Sequence, residues 1–285
     1  MTEAPRAAES SLVVGGAARR LRVGATWTTP PPPRAPRATV WLQHGFARSR
    51  RTMTDLADHL ADSGFAVLTT SLRTADFHAR TVQYLRDNRP FLTDLAAALD
   101  GPELRASWKR AGLPGDPPAV LLATGHSAGA DAAAHVAAET LTGTRRIGGL
   151  VLLDPVRSAR GDNLGVGVMR LTAARVPIRI VAAPPSRCNA HGSGLRRVLP
   201  LLEGFAGILL TGGSHADAEG RSAGRLAQWM CGAVSPDNVS ALETVTAAWL
   251  GAMARQEQPI APGPHDPPIE RLVAEDRARL LWGAR

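Results

Sequence analysis

The chain has 285 residues, 44% of them hydrophobic, and a formal net charge of +8 carried almost wholly by arginine, Lys109 being the single lysine. That length suits one α/β domain with a sizeable core, and that apolar content excludes a disordered chain. No apolar run approaches the roughly 20 residues of a bilayer span, and the arginines are scattered rather than interleaved with aromatics as a nucleic-acid surface requires.

The first eleven residues are polar, without the apolar stretch of a secretion signal, so a cytoplasmic location is expected. Two cysteines, Cys188 and Cys231, are too few for a metal site or a disulfide framework; they either pair or stay as free thiols.

Residues 11–29 read as two strands around Gly15-Gly16, followed by a stiff connector at Pro30 to Pro33. A short apolar strand, 38–43, runs into His44-Gly45-Phe46. Helical spacing follows over 52–63, then a strand from Phe65 to Ser71, then an amphipathic helix over 83–100. The stretch 118–124 predicts a buried strand leading straight into Gly125-His126-Ser127-Ala128-Gly129, with a small-residue helix over 128–141 behind it. Further strands are expected at 147–153, 176–183 and 205–211, and a helix at 237–254. Strands alternating with helices imply a mainly parallel sheet covered on both faces. Residues 1–255 then form the main domain. Residues 256–268 read as a Pro-rich linker, followed by a charged helix over 269–282 that makes the 256–285 tail an accessory element.

Gly125-His126-Ser127-Ala128-Gly129 matches the G-x-S-x-G nucleophile elbow, and its context, strand before and helix after, is the one that motif needs. A sharp strand-to-helix turn requires small flanking residues. The helix start presents backbone N–H groups to developing negative charge. Ser127 is the candidate nucleophile. The backbone N–H groups of Ala128 and of Phe46, at the end of an earlier strand, are candidates for the oxyanion hole, while the His44 side chain is expected to be a structural hydrogen-bonder.

In such a fold the order along the chain is Ser, acid, His. That leaves His191, His215 and His265; His265 lies in the linker, and His215, just past the last strand through Gly212-Gly213-Ser214, is the better base. The acid usually follows the strand that starts at Val176, but no carboxylate occurs there before Glu203. Asp154, one strand earlier, is the candidate, with Asp162 as its competitor.

Together His44-Gly45-Phe46, the elbow, Leu153-Asp154-Pro155-Val156 and Ser214-His215 resemble the chlorophyllase-like and cutinase-like branch of the α/β-hydrolases over roughly residues 36–255. The chain departs at Ala128, where chlorophyllases tend to carry arginine. The resemblance implies an α/β-hydrolase fold and serine carboxylesterase chemistry on a lipophilic ester, with Asp154 as the acid.

The segment between Pro155 and Val176 is too short for a large cap, so an open groove is expected, with Phe46, Leu72 and Phe77 as candidate walls. Arg48, Arg50 and Arg51 either place charge at its mouth or start a solvated helix. The reading implies a small-molecule ester as partner, and no cofactor, metal, nucleic acid or integral-membrane segment. An acyltransferase or thioesterase would use the same residues, and a non-catalytic binding protein could share the scaffold.

Overall fold

The computed structural model describes residues 4–15, 20–72, 88–157 and 161–284. Its sheet has nine strands among the described residues: β1 (Arg6–Val14), β2 (Leu21–Thr29), β3 (Thr39–Gln43), β4 (Ala66–Thr70), β5 (Val120–His126), β6 (Arg146–Leu153), β7 (Ile178–Ala182), β8 (Phe205–Leu210) and β9 (Ala278–Trp282). The spatial order is β1-β2-β4-β3-β5-β6-β7-β8-β9. From β4 to β8 the strands are parallel. The β1–β2, β2–β4 and β8–β9 pairs are antiparallel.

The inner strands are apolar without interruption because both of their faces are covered. Side chains alternate across a strand, so Trp41, Ala123, Leu150, Leu152 and Ile180 turn to one face. There they meet α2 (Arg89–Asp100), α3 (Pro102–Arg110), α4 (Ala128–Glu139) and α5 (Asn163–Ala173). Val40, Leu42, Leu122, Val151 and Leu153 turn to the other, against α1 (Thr54–Asp62), α8 (Pro236–Arg255) and α9 (Pro267–Ala274). Two short helices, α6 (Ser193–Val198) and α7 (Arg225–Cys231), lie between β7 and α8 in sequence.

The C-terminal residues differ from expectation. The helix stops at Ala274, and Ala278–Trp282 is a strand on β8. Five residues are too few to tell helix from strand by periodicity, and here the open edge of β8 decides, since its backbone N–H and C=O groups gain partners. Nor is the segment before α9 a bare linker. Ile260 is buried in the core, and Trp249 of α8, fully buried, donates from Nε1 to the Pro262 carbonyl at 2.8 Å. The helix expected over 83–100 is described from Asn88 and starts at Arg89. α5 packs on α4, with Gly167 so close to the Ala134 carbonyl that a Cβ would sit 2.5 Å from it. Among the described residues α5 is therefore part of the helical layer and not a cap over the strand ends.

Candidate active site

The chain passes from β3 to β4 on one side and later to β5 on the other, so the winding direction reverses between β3 and β5. Loops leaving the carboxyl ends of those two strands part there, and α/β sheets bind ligands in that crevice. One loop is His44-Gly45-Phe46; the other is the turn at Ser127. They meet directly, because a Cβ on Gly45 would lie 2.9 Å from the Ser127 Cβ and 3.4 Å from its Oγ.

Ser127 joins β5 to α4 with φ 59° and ψ −126°, a left-handed conformation that costs energy for a residue with a Cβ. The turn is held by its surroundings: the Ser127 N–H donates to Leu153 O at 3.0 Å, and Ser127 O accepts from Val156 N–H at 3.1 Å. The motif glycines are required by close approach. A Cβ on Gly129 would stand 2.4 Å from the Gln43 and His44 carbonyls, and one on Gly125 2.3 Å from Gly129 O. Ser127 Oγ thus projects at the sheet edge from the N-terminus of a 12-residue helix.

His215, in the loop after β8, brings Nε2 to 2.9 Å from Ser127 Oγ. Its Nδ1 lies 2.5 Å from Asp154 Oδ2. A carboxylate only accepts, so Nδ1 carries the proton and Nε2 is left to accept from the serine hydroxyl. Asp154 closes β6 with φ 39°, its own N–H donating to Val181 O at 2.7 Å, and it remains in register with the end of β7. All three side chains are buried to at least nine-tenths. The two competing carboxylates are engaged elsewhere. Asp162 caps α5 and pairs with Arg197. Asp217 accepts from the Ser214 and Ser235 N–H groups. Among the described residues neither His191 nor His265 shares a hydrogen bond with Ser127 or Asp154.

Neither the Phe46 nor the Ala128 N–H has a hydrogen-bond partner among the described residues. His44 shapes the loop between them. Its Nδ1 donates to Gly45 O at 2.8 Å and its Nε2 accepts from Leu72 N–H at 3.1 Å. Burial lowers its pKa to about 4, so the ring is neutral and holds that tautomer. Phe46 is half exposed and follows Gly45, which packs on Ser127. Leu72 is not a wall; it is buried in the core, because its backbone turns back toward His44. Phe77 lies outside the described residues. Arg48 binds Glu219 at 2.8 Å, tying the Phe46 loop to the turn after His215. Arg50 is bonded to Glu9 and Thr26, so only Arg51 of that trio stays a solvated helix start.

Sequence reasoning missed two participants. Asn189, fully buried in the loop after β7, donates from Nδ2 to both Asp154 oxygens at 3.2 and 3.1 Å and to Pro184 O at 2.9 Å. Its Oδ1 accepts from Ser186 and Gly192 N–H, which fixes the amide orientation. Together with Ala183 N–H at 3.1 Å, it anchors the carboxylate. His126, inside the motif itself, packs its ring 4.6 Å from that of His215. Burial first, and then repulsion from His215, push its pKa well below the ordinary histidine value, so it stays neutral. Nothing in a Pro- and Gly-rich loop marks Asn189 as more than a turn residue. Cys188, next to it, is disulfide-bonded to Cys231 at the end of α7. Among the described residues no group of three or more His, Cys, Asp or Glu is arranged to hold a metal ion.

No protein-family model matches the chain, and no curated protein matches it in sequence. Its structure is similar to that of a dienelactone hydrolase from Anabaena variabilis ATCC 29413, with a TM-score of 0.57 and 17% identity over 87% of this chain and 98% of that one. It is also similar to an esterase from Rhizomucor miehei, with a TM-score of 0.58 and 15% identity over 89% of this chain and 85% of that one. With its mostly parallel sheet, its covering helices and these neighbours, the chain has the α/β-hydrolase fold.

Proposed function

We propose that the chain is a serine carboxylic-ester hydrolase working through an acyl-enzyme. The observation that carries this is the unbroken series Ser127 Oγ, His215 Nε2, His215 Nδ1, Asp154 Oδ2, with spacings of 2.9 and 2.5 Å, at the switch point of the sheet. In the first step Ser127 Oγ attacks the ester carbonyl carbon as its proton passes to His215 Nε2. Asp154 holds the tautomer and stabilises the imidazolium. The Phe46 and Ala128 N–H groups bind the oxyanion, which is why their lack of a partner among the described residues matters. The imidazolium then gives its proton to the departing alcohol. Water, activated by the same nitrogen, hydrolyses the acyl group from Ser127.

The acid at the end of β6 supports the chlorophyllase-like branch, and the half-exposed Phe46, next to the Gly45 that packs on Ser127, supports a lipophilic ester. No helix among the described residues is long and apolar enough to cross a membrane. The Cys188–Cys231 disulfide favours an oxidising compartment over the cytoplasm. Reaction with a fluorophosphonate probe tests the assignment. The wild-type chain is expected to be labelled at Ser127, and a folded Ser127→Ala protein that still takes the label refutes it.

A further inference from the structure

Helix α7 presents an apolar face that the fold leaves uncovered. Leu226, Trp229 and Met230, at i, i+3 and i+4, are 68%, 82% and 55% exposed, while Ala227 on the opposite side is buried. Single exposed apolar residues are common, but three on one helix face, one of them tryptophan, mark an interaction surface.

The position of that face matters. α7 follows the loop carrying His215, and Gly232 at its end abuts Ser214, a Cβ there standing 2.9 Å from the Ser214 Cβ. The disulfide from Cys231 to Cys188 fastens the same end to the loop that carries Asn189. Both loops leave the carboxyl ends of parallel strands, as does the Phe46 loop, so the exposed face and half-exposed Phe46 share the edge on which Ser127 opens.

Charge selects the occupant. Arg225 opens the helix and Arg187 stands next to Cys188 at its far end; both are exposed and neither has an ion-pair partner among the described residues. Two further arginines of this edge are neutralised, Arg48 by Glu219 and Arg221 by Asp55. A second copy docking by the same face would set Arg187 and Arg225 against their own images. Three side chains also fall far short of the area a stable protein interface buries, about 800 Å² a side. An apolar stripe with tryptophan, bracketed by cations, fits the boundary of an anionic lipid layer.

We infer that α7 docks the protein on an anionic lipid–water interface through Leu226, Trp229 and Met230, with Arg187 and Arg225 meeting the headgroups. Its use, bringing an ester dissolved in that layer to Ser127, rests on the proposed hydrolase activity; the binding does not.

The test is co-sedimentation of the Ser127→Ala protein with vesicles of phosphatidylcholine alone and of phosphatidylcholine mixed with phosphatidylglycerol. Binding to the mixed vesicles is expected, with Trp229 emission shifted to the blue and quenched by bromine-labelled acyl chains. Trp229→Ser should weaken it about tenfold or more. Arg187→Ala and Arg225→Ala should each weaken it about fivefold, an effect that high salt erases. With Ser127 restored, Trp229→Ser should hydrolyse a water-soluble ester at the parent rate.

Failure to bind the mixed vesicles overturns the inference, and so does equal binding by Trp229→Ser. A dimer abolished by Trp229→Ser, in place of vesicle binding, overturns it in favour of a second copy. If vesicles bind as expected but no serine labelling occurs, the hydrolase reading falls and the docking surface stands.

Discussion

Replacing Asp154 by asparagine tests the acid assignment at its most exposed point, because the surroundings dictate how the new amide must sit. In the native site Oδ1 accepts from Ala183 N–H at 3.1 Å and from Asn189 Nδ2 at 3.2 Å, while Oδ2 faces His215 Nδ1 at 2.5 Å. An asparagine keeps its oxygen toward the two donors and turns its NH₂ group to the imidazole. His215 must then accept at Nδ1, which moves its proton to Nε2 and leaves nothing to take the proton of Ser127. Flipping the amide restores the base but sets NH₂ against the buried Ala183 N–H, whereas Asn189 Nδ2, within 3.2 Å of both acid oxygens, meets the NH₂ group in either orientation. An unsatisfied donor costs about 1–3 kcal/mol, so the productive state lies roughly that much higher.

The charge that stabilises the imidazolium is lost as well, and the same change in a serine protease lowers kcat by about 10⁴, or about 5.5 kcal/mol. A fall in kcat of about 10³–10⁴ is expected here, with the circular dichroism and unfolding midpoint close to wild type. Hydrolysis of a p-nitrophenyl ester, normalised to folded protein, measures it. A loss under tenfold would show that Asp154 does not hold His215 during turnover.

Ser127→Ala and His215→Ala should each lower kcat by about 10⁶, and the double variant should be hardly worse, because the two act as a unit; additive losses in ester turnover would break that link. Asn189→Ala removes the one amide donor shared by both Asp154 oxygens and should lower kcat by about 10–10² with KM unchanged; a change confined to KM would remove Asn189 from the acid's support. His44 titrates at about 4 in the folded chain against 6.5 when unfolded, so protons bind the unfolded state first as pH falls. Its contribution to stability is therefore complete above 6.5 and is lost between 6.5 and about 4, amounting to about 3 kcal/mol. Urea unfolding from pH 7 to 4.5 should show that slope reduced by up to one proton in His44→Gln, and an unchanged slope would place the titration elsewhere.

The parts of the fold legible in the sequence were those with a strong local signal. The inner strands are apolar runs ended by glycine or a polar residue, as at His44-Gly45 and Gly125. The elbow combines such a strand with small residues that close backbone contacts make obligatory, a Cβ on Gly129 meeting carbonyls at 2.4 Å. Short or amphipathic pieces were not legible. α6 and α7 span 6 and 7 residues, too few turns for a period to emerge. Ala278–Trp282 buries Ala278 and Leu281, one on each face of the sheet, a spacing of three that imitates a helix in sequence, and only the unpaired edge of β8 makes it a strand.

The proposed acid is reached by elimination, because the chemistry constrains where a carboxylate stands, not which strand carries it. β6 and β7 are adjacent and parallel, and the Asp154 N–H still bonds to Val181 O at 2.7 Å. A carboxylate at the end of β6 thus lies about one strand spacing, roughly 4.8 Å, from one at the end of β7, within the reach of a histidine loop. The absence of any Asp or Glu between Val176 and Leu202 therefore pointed back to Asp154. What elimination could not supply is the group that the loop after β7 carries in place of a carboxylate. Asn189 occupies the loop after β7 and turns its amide on Asp154 from 35 residues away. A carboxylate at that position would face Asp154 as a like charge. An amide there keeps the place occupied, satisfies both acid oxygens and leaves Oδ2 free to hold His215, so the displaced acid and the asparagine are two halves of one arrangement.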